Sequence, residues 1–495
     1  MPKIVVIGGG VGGLTVAHEC VERGCEVLVL EKSAILGGKG ATDLYQGMPR
    51  DHAPKNISPY YYCLIEQLKR IPTSAGKTVY DELVAMHSIV LSYGGETAVL
   101  NAGLTLPSKM RRLLKVYQFC SKFVPRKELA KLAFQLLKYI FSTSGQRRKL
   151  DQISYLDLLG FDRQHPLVKL LESIAVVDVN GSALMCLDQF SRQVLGIFNP
   201  YKLQYTANYF CKPASDSFFH PWKAHLEKLG VKFVTDDEVL KVEHADKRIT
   251  KIMTTTQEFS DFDECVIATD VPGLKKLNTS SQLNLAALPT PPRCENKACG
   301  FFIAMAEMPS RHIAHAFTVF LDHPWSIVTI CFTRNEFTDP RYFPDHCSVY
   351  VWVSLGGIDS KGTFTGKTLE EASIEEVLLE LSEATHFSVE DRKNIIAGYW
   401  GRSVSHESND FPPNHMTTVF TRSVNPILIE NVTEYNNLFL AGEFTNTLQK
   451  SPTMEKANES GKRCSQIILR KYGIDYPVEK FQYKYLAFQS REERM

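Results

Sequence analysis

A glycine-rich turn near the amino terminus constrains the fold of this chain more than any other feature. The run IVVIGGGVGGL occupies residues 4–14, and a second apolar run, VLVLE, ends at Glu31. This order predicts a strand, a turn, a helix and a second strand. Gly8, Gly10 and Gly13 supply the turn, the close approach of a ligand and the contact between helix and strand. Because Glu31 can accept hydrogen bonds from an adenosine ribose, the pattern predicts a dinucleotide site.

The residues after the second strand indicate which dinucleotide is bound. A second glycine turn, LGGKG, contains Gly37, Gly38 and Lys39. A simple nicotinamide site would not require a second turn or this cation. Two glycines and a lysine so close to the first turn favour a longer ligand, with Lys39 near its phosphate or ribityl region. The sequence therefore predicts FAD as the cofactor.

The other end of the chain supplies an independent motif. The run NLFLAGEFT predicts a buried strand that ends at Gly442 and Glu443, and SPTMEKANESGK then opens a helix expected to run to about Leu469. Pro452 suits the first turn of that helix, whose N-terminus offers N–H groups to the electron-rich edge of a reduced flavin. We expect Glu443 to bind the ribityl chain or to direct the phosphate.

These motifs, together with VIATDVPG at residues 266–273, resemble the flavin-containing amine oxidase superfamily. Within it, the LGGK turn, the Asp-Val-Pro-Gly segment and the Met-Glu…Ser-Gly tail are most similar to the branch of carotene (phytoene and zeta-carotene) desaturases and hydroxysqualene dehydroxylases. The resemblance implies an α/β fold, in which a Rossmann-like FAD-binding domain is interleaved with a mixed-sheet substrate domain that carries a helical lid. It also implies that Val239 touches the adenine through its backbone and that Met454 lies beside the pyrimidine edge of the flavin.

The predicted cofactor contacts come from both ends of the chain and from its middle. They are Gly8, Gly10, Val11, Gly12, Gly13, Glu31, Lys32, Gly37, Gly38, Lys39, Val239, Ala268, Gly442, Glu443, Thr453 and Met454.

The same motifs predict how the domains are interleaved. The FAD-binding domain is assigned to residues 1–75, 215–290 and 420–475, the substrate domain to residues 76–214 and 291–419, and a C-terminal tail to residues 476–495. Strand-like runs between residues 298 and 356 predict a mixed or antiparallel sheet over the flavin. Residues 368–384 predict a helix that is acidic outside and leucine-rich inside.

Departures from the family pattern concern the substrate more than the cofactor. Ile35 stands where such flavoproteins often carry Arg before the second Gly-Gly. The desaturase-like acid is kept as Asp51, whereas Ala53 and Lys55 replace the Gly and His of that branch. Because this segment follows the second glycine turn, Asp51, His52 and Lys55 are the candidates for a polar, catalytic role over the flavin.

Composition sets broad limits on the class of protein. With 495 residues the chain exceeds what one core usually holds, so at least two domains are expected. A formal net charge of +1 gives no indication of nucleic acid as a partner. The 12 cysteines are scattered without a C-x-x-C pair, which favours a reduced, cytoplasmic chain and no metal site. Neither a signal segment nor a membrane span is predicted, and the oligomeric state stays open.

Residues 100–160 form a basic region in an otherwise nearly neutral chain. Apolar residues at Leu129, Leu132, Ala133, Leu136, Leu137 and Ile140 have helical spacing, and Phe134, Tyr139 and Phe141 broaden that face. Between residues 109 and 149 basic side chains stand against the single acid Glu128: Lys109, Arg111, Arg112, Lys115, Lys122, Arg126, Lys127, Lys131, Lys138, Arg147, Arg148 and Lys149. This composition is typical of a peripheral membrane contact through residues 109–149, or of a helical lid with a solvated cationic face.

Three functions follow from these observations. The preferred one is an FAD-dependent desaturase or dehydrogenase that removes a hydride from an apolar, isoprenoid or carotenoid-like substrate. The second is an amine or amino-acid oxidase that releases hydrogen peroxide. The third is a non-catalytic prenyl-binding protein with the fold of the Rab GDP-dissociation inhibitors. Retention of the residues that would hold FAD argues against the third, and the electron acceptor is left open.

Overall fold

The fold is known from a computed structural model, and its description covers most of the chain. The described residues are 1–52, 55–73, 76–86, 88–101, 106–175, 181–195, 208–210, 212–285, 295–297, 299–312, 316–334, 340–344, 346–357, 359–402, 404–405, 415–416, 418–420, 424 and 426–476. Ala53, which replaces the glycine of the desaturase-like pattern, and the tail beyond residue 476 lie outside these residues.

Strands and helices alternate irregularly along the chain. The strands are β1 (Lys3–Ile7), β2 (Glu26–Leu30), β3 (Thr42–Tyr45), β4 (Met48–Asp51), β5 (Leu83–Ala85), β6 (Ser88–Tyr93), β7 (Glu96–Asn101), β8 (Asn208–Phe210), β9 (Lys232–Val234), β10 (Val239–Ala245), β11 (Arg248–Thr254), β12 (Glu258–Phe259), β13 (Glu264–Ile267), β14 (Glu295–Lys297), β15 (Cys299–Met305), β16 (Ala316–Phe320), β17 (Val328–Thr333), β18 (Val349–Leu355), β19 (Ile395–Trp400), β20 (Val404–Ser405), β21 (His415–Met416), β22 (Thr418–Phe420) and β23 (Leu438–Leu440). The helices are α1 (Val11–Val21), α2 (Tyr62–Lys69), α3 (Leu106–Cys120), α4 (Arg126–Ile140), α5 (Ser144–Leu150), α6 (Tyr155–Leu159), α7 (Pro166–Ala175), α8 (Ala183–Leu195), α9 (His220–Leu229), α10 (Val271–Ser281), α11 (Ile374–Ala384), α12 (Val389–Lys393) and α13 (Met454–Lys471).

A five-stranded parallel sheet organises the first half of the fold. Its order is β23-β13-β1-β2-β9, so the first strand of the chain lies at the centre and the last at an edge. The strands are nearly continuous apolar runs because both faces of the sheet are covered. One face packs in a core with α1, α2, α9 and α13, and the other packs with α10, β10 and β11.

Helices α1 and α13 join the two ends of the chain on one face of this sheet. A Cβ on Gly461 would lie 2.6 Å from the carbonyl oxygen of Gly12 and 2.7 Å from Cβ of Thr15. The helices therefore touch through their backbones. Buried Asn458 donates to the Thr15 hydroxyl at 2.7 Å in the same contact.

A seven-stranded mixed sheet forms the second half. Its order is β19-β15-β18-β17-β16-β6-β7, with only the β16–β6 pair parallel among these neighbours. Helices of the basic region and α7 and α8 pack on one face, and α11 packs on the other. The mixed sheet predicted from residues 298–356 is present, and β6 and β7 extend it.

The helix predicted at residues 368–384 begins later than its composition suggests. Helix α11 begins at Ile374 because Ser373 and Glu376 form a capping box. Its acids are not all outside, since Glu380 is fully buried. The carboxylate of Glu380 accepts hydrogen bonds from His323 at 2.7 Å and from the N–H of Thr365 at 2.7 Å. The prediction of a helix that is acidic outside therefore fails at Glu380, whereas Glu375 is exposed as predicted.

The apolar stripe predicted along α4 divides into an inner and an outer part. Leu132, Leu136 and Tyr139 are buried, whereas Ala133 and Leu137 are exposed. Each residue of an α-helix advances about 100° around its axis, so Leu137 lies about 140° from Leu132 and one flat partner cannot cover both. Phe134 and Phe141 lie on the exposed side.

One of the basic side chains in this region faces inward. Arg147 is buried, donates to the Ser142 hydroxyl at 3.2 Å and lies 5.0 Å from the ring centre of Tyr139. Among the described residues, no helix is both long and apolar enough to cross a membrane.

Candidate functional site

The first glycine turn has backbone geometry that excludes side chains at two positions. Gly8 has φ +110°, and a Cβ there would lie 2.7 Å from the carbonyl oxygen of Ala268. A Cβ on Gly13 would lie 2.0 Å from the carbonyl oxygen of Gly8 and 3.1 Å from Val6. The helix thus packs directly on its own strand, as the spacing of these glycines predicts.

The turn delivers the chain to the N-terminus of α1. Gly10 is the N-cap residue, and no side chain caps the helix there. The N–H groups of Val11, Gly12 and Gly13 belong to the first turn of the helix, which has no intrahelical acceptors for them. An uncapped helix N-terminus favours an anionic group such as a phosphate.

Glu31 lies at the end of β2, directly beside the first turn. Its side chain is 8% exposed, and its two oxygens accept from the N–H of Gly9 at 2.7 Å and of Ser33 at 2.9 Å. A carboxylate has about four acceptor positions, so two stay available to a ribose. Lys32, which follows it, is exposed.

The second glycine turn packs against the first. The N–H of Gly37 donates to the carbonyl oxygen of Gly9 at 2.8 Å, and Gly10 and Gly37 form an isolated bridge. Gly37 and Gly38 have φ values of +113° and +55°. Side chains other than glycine are strained at such values, so the two turns form one continuous glycine surface.

An ion pair links the second turn to the C-terminal motif. The ammonium of Lys39 contacts the carboxylate of Glu443, 404 residues later, and both side chains are mostly buried. Gly442 has φ +146°, and its N–H donates to the hydroxyl of Ser460 at 2.9 Å. The two predicted cofactor motifs therefore meet in space.

Helix α13 begins at Met454, directly after the N-cap residue Thr453. Thr453 is the N-cap residue and its hydroxyl accepts from the N–H of Lys456 at 3.3 Å. Pro452 precedes the cap, so its predicted place within the first helical turn was wrong. Met454 starts the helix, and its sulfur lies 3.8 Å from the position of a Cβ on Gly40, in the second glycine turn.

The two other predicted contacts lie on the far side of the first turn. Ala268 follows β13, and its N–H donates to the carbonyl oxygen of Ile7 at 2.8 Å. Val239 is buried at the start of β10, opposite Thr254 of β11. Ala268 therefore follows a strand of the parallel sheet, and Val239 begins a strand that packs on one face of it.

A pocket lined by aromatic side chains lies where β4 and β8 meet the seven-stranded sheet. The space outside the atoms is about 470 Å³ and is partly open to solvent. Its lining residues are Pro49, Asp51, Lys55, Tyr209, Phe210, Lys212, Ala214, Phe302, Phe332, Tyr350 and Trp352. Sequence reasoning identified Asp51 and Lys55 as site residues but did not assign the aromatic residues to the site, because they come from four separate strands.

Two hydrogen-bonded links connect this pocket to the second glycine turn and to the strand β3 that follows it. The hydroxyl of Thr42 donates to the Asp51 carboxylate at 2.6 Å. Arg402 donates to the carbonyl oxygen of Gly38 at 3.3 Å through its side chain and to that of Asp51 at 3.2 Å through its backbone. Arg402 was not predicted, because nothing near it in the sequence marks a cofactor motif.

Burial shifts the pKa values of the three candidate catalytic residues. Burial raises the pKa of Asp51 and lowers that of Lys55, whose ammonium lies 4.0 Å from the Asp51 carboxylate. Burial and the nearby cations Lys55, Lys39 and Arg402 lower the pKa of His52 to about 3. His52 is therefore neutral at physiological pH, and its buried Nδ1 has no partner among the described residues.

The sequence matches the model of the flavin-containing amine oxidoreductase family over residues 11–469. The chain belongs to this family. It is an FAD-dependent oxidoreductase, which confirms the family, the enzyme class and the cofactor predicted from the motifs. The non-catalytic prenyl-binding alternative is accordingly set aside. No curated protein matches the sequence of this flavoenzyme.

Solved structures share the fold of this flavoenzyme. Cyclohexylamine oxidase from Brevibacterium oxydans has a TM-score of 0.60 at 14% identity, over 95% of this chain and 99% of that chain. Wild-type putrescine oxidase bound to putrescine has a TM-score of 0.62 at 14% identity, over 95% and 99%. An oxidoreductase from Methanosarcina mazei has a TM-score of 0.52 at 14% identity, over 93% and 98%. These likenesses confirm the α/β fold class but do not indicate which substrate this flavoenzyme uses.

The flavoenzyme's own residues fit FAD. The glycine surface allows a ligand backbone to approach at positions that a Cβ would fill, and the uncapped start of α1 suits a pyrophosphate. Glu31 has acceptor capacity for a ribose, and Lys39 brings a cation to the junction of the two motifs. The unpartnered Nδ1 of His52 lies in the segment between this cradle and the pocket.

One group of side chains in the described part of the flavoenzyme has the spacing of a metal site. Ligand atoms of His18, Glu22 and His225 lie within 4.8 Å of one another. The indole N–H of Trp222 donates to Nδ1 of His18 at 3.0 Å, so the proton of this neutral imidazole is on Nε2, which donates to Glu22 at 2.9 Å. A hydrogen-bond network accounts for the group, and Nε2 has no lone pair for a metal in this arrangement.

Proposed function

We propose that this flavoenzyme removes a hydride equivalent from a carbon atom of an apolar, isoprenoid-like substrate held in the aromatic pocket. The observation that carries the proposal is the pocket itself, whose walls include Tyr209, Phe302, Phe332, Tyr350 and Trp352. Burying apolar surface against such walls stabilises a hydrophobic ligand by roughly 25 cal/mol per Å². The links from Asp51 to Thr42 and from Arg402 to Gly38 bring this pocket to the cofactor cradle.

The protein's contribution to the reaction is binding, orientation and exclusion of water. When bound, FAD supplies the hydride acceptor. The glycine surface, Glu31 and Lys39 would hold it, and the aromatic walls would fix the reacting carbon of the substrate. His52 is neutral, so it can donate or accept a hydrogen bond without placing a charge beside an apolar substrate.

The charges in the pocket favour a neutral substrate over an amine. Two lysines, Lys55 and Lys212, line the pocket together with one acid, Asp51, whose pKa is raised by burial. A protonated amine would meet two lysine side chains and a single carboxyl group. Burial lowers the pKa of Lys55, which moderates this repulsion without supplying an anion.

Amine oxidation is the second candidate, because the family match includes that chemistry in its description. Putrescine oxidase and cyclohexylamine oxidase share the fold. Aromatic walls can also attract an ammonium through cation–π contacts, worth about 0.5–2 kcal/mol. In this case Asp51 would be the counter-ion, and its replacement would remove substrate binding.

Anaerobic reduction of the purified holoenzyme separates the two candidates. We expect the flavin band at about 450 nm to be lost on mixing with a polyene or another isoprenoid hydrocarbon. Primary amines should leave it unchanged. Phe332→Ala should raise the half-saturating concentration of that substrate about tenfold, since it removes a pocket wall. Phe364→Ala, at a half-exposed ring that does not line the pocket, is the matched control.

Bleaching by primary amines alone, abolished by Asp51→Asn, would overturn the apolar-substrate proposal in favour of the amine oxidase. Equal reduction of the holoenzyme by both substrate classes would contradict the claim that the charges in the pocket favour a neutral substrate. An unchanged flavin spectrum in each variant shows that the cofactor site is intact, so the comparison reports on substrate alone.

A further inference from the structure

Two consecutive helices expose apolar side chains that a protein normally buries. On α3, Met110, Leu114 and Tyr117 are 49%, 53% and 44% exposed. Their spacing of four and three residues places them in one row along the helix. Single exposed apolar residues are ordinary, but a row of three on one helical face is a surface feature.

Helix α4 repeats the arrangement with aromatic side chains. Phe134, Leu137 and Phe141 are 64%, 53% and 67% exposed, and they follow one another at intervals of three and four residues. The opposite face of the helix is occupied, because Leu132 and Tyr139 belong to the core of the seven-stranded sheet. The outward row is therefore a second apolar face and does not come from a badly packed helix.

Cations flank both rows and have no ion-pair partner within the described part of the chain. They are Arg111 and Lys115 on α3, and Lys127 and Lys138 on α4, all exposed. The one acid of α4, Glu128, is hydrogen-bonded to His165 at 3.0 Å. We call the two apolar rows and these four cations the cationic apolar surface.

Two other basic residues of the region, Lys122 and Lys131, contact groups of the protein itself and are not part of this surface. Lys122 pairs with Glu96, and Lys131 donates to the carbonyl oxygen of Leu159. The protein thus separates cations that stabilise its own packing from cations left to solvent.

We propose that the cationic apolar surface binds an anionic lipid membrane. An interfacial helix of this kind buries leucine and aromatic side chains at the boundary between headgroups and acyl chains, while cations contact anionic headgroups. The charge is complementary to phosphatidylserine-type lipids, and neither helix needs to cross the bilayer. A protein partner or a second copy of this chain would also bury the apolar rows, and the experiment below separates those outcomes.

The surface is tied to the pocket through the packing of α4 on α8. The hydroxyl of Tyr139 donates to Asp188 of α8 at 2.9 Å, and the next residue, Gln189, accepts from Gln449 at 3.2 Å, shortly before α13. Leu132 and Tyr139 share a core with Phe302 and Trp352 of the pocket wall. A membrane bound at this surface would therefore be held in a fixed relation to the site.

Sedimentation of the holoenzyme with vesicles tests the proposal. Binding to phosphatidylcholine vesicles that contain about one third phosphatidylserine should be at least about tenfold tighter than to pure phosphatidylcholine, and should weaken with added salt. The triple variant Phe134→Ser, Leu137→Ser, Phe141→Ser should lose at least about tenfold in binding to the anionic vesicles. The quadruple variant Arg111→Gln, Lys115→Gln, Lys127→Gln, Lys138→Gln should lose the preference for phosphatidylserine.

Matched controls change the same chemistry elsewhere on the surface. Phe364→Ser with Val389→Ser replaces two exposed apolar side chains outside α3 and α4. A second control removes four exposed charges elsewhere, the same number as the quadruple variant: Lys228→Gln, Lys232→Gln, Lys361→Gln and Lys393→Gln. Both control proteins should bind vesicles as the wild type does, with an unchanged flavin spectrum.

Three results would overturn the proposal. They are failure of the wild-type holoenzyme to bind anionic vesicles, equal binding by the triple variant, and equal loss in the control variants. A wild-type oligomer in solution that the triple variant alone dissociates, without vesicle binding, would identify the surface as a contact between copies. Because the readout is lipid binding, failure here is distinguishable from failure of the proposed reaction.

Discussion

The two oxygens of Glu31 accept hydrogen bonds from the protein before any ligand is considered. They accept from the N–H groups of Gly9, in the first glycine turn, and of Ser33, two residues after Glu31 along the chain. The residue therefore positions the first glycine turn as well as offering acceptors to a ribose. Replacing it by alanine would disturb both functions at once, since buried N–H groups left without an acceptor cost about 1–3 kcal/mol each.

Glu31→Gln separates these two functions. Its amide oxygen still accepts from one backbone N–H, so the free energy of unfolding of the apoprotein should fall by only about 1 kcal/mol. Loss of the charge and of one acceptor should weaken FAD binding at least about tenfold, or about 1.4 kcal/mol. Fluorescence titration of the apoprotein with FAD measures the dissociation constant.

Lys32→Gln serves as the control because this neighbouring side chain is exposed. If Glu31→Gln and Lys32→Gln bound FAD equally well, Glu31 would be a structural residue of the turn and not a cofactor ligand.

Individual residues of the site differ in how visible they were in the sequence. Gly8, Gly13 and Glu31 lie in one local motif, where spacing alone fixes the geometry. The contact of Lys39 with Glu443 spans 404 residues, so the sequence suggested that both bind the cofactor without showing that they bind each other. The role of Arg402 depends wholly on where β19 ends, which no local pattern encodes.

Elements were predicted best where apolar periodicity and a cap agreed. Strands β1 and β2 follow their patterns closely, since burial on the parallel sheet imposes the same pattern as the sequence shows. Helix α11 was predicted too long, because its start depends on the capping box at Ser373. The division of the α4 stripe into two faces depends on where α8 packs, which is a tertiary property.

Helix α1 offers a test of how tightly two elements pack. Gly13→Ala would place a Cβ 2.0 Å from the carbonyl oxygen of Gly8, so the helix must shift away from its strand. Overpacking of this kind costs about 1–3 kcal/mol or more. Chemical denaturation of the apoprotein should show this loss.

Gly12→Ala is the matched control in the same turn of helix. A Cβ there would lie 3.4 Å from its nearest neighbours, which is ordinary contact. Its free energy of unfolding should stay within about 1 kcal/mol of the wild type, as for most substitutions without a steric conflict. Equal losses in the two variants would contradict the close packing of α1 on β1.

At the scale of the whole molecule, the two ends of the chain form one core. Strand β23 completes a sheet begun by β1, and α13 packs on α1 and α2. The sequence predicted this closure from two cofactor motifs. The order of the seven-stranded sheet could not be predicted, because the parallel pairing of β6 with β16 joins segments with no shared motif.

Glu455 connects these ends and gives the global stability a pH dependence. Its buried carboxylate accepts from the N–H of Cys63 at 3.0 Å and of Leu64 at 2.8 Å, at the start of α2. Burial raises the pKa of Glu455 to about 7, although the two N–H donors oppose the shift. Between about pH 4.5 and pH 7, the folded state therefore holds a proton on Glu455 that the unfolded chain, with an ordinary pKa near 4.5, has lost.

Because the pKa of Glu455 is raised in the folded state, its contribution to the free energy of unfolding is fully present below about pH 4.5 and is lost as pH rises through about 7. Between about pH 5 and pH 8, the wild-type apoprotein should lose up to about 3 kcal/mol of unfolding free energy relative to Glu455→Gln, which cannot titrate. Urea denaturation at both pH values measures the difference, with exposed Glu390→Gln as the control. If wild type and Glu455→Gln showed the same pH dependence, the two N–H donors would outweigh burial, and Glu455 would be an anion that caps α2 throughout this range.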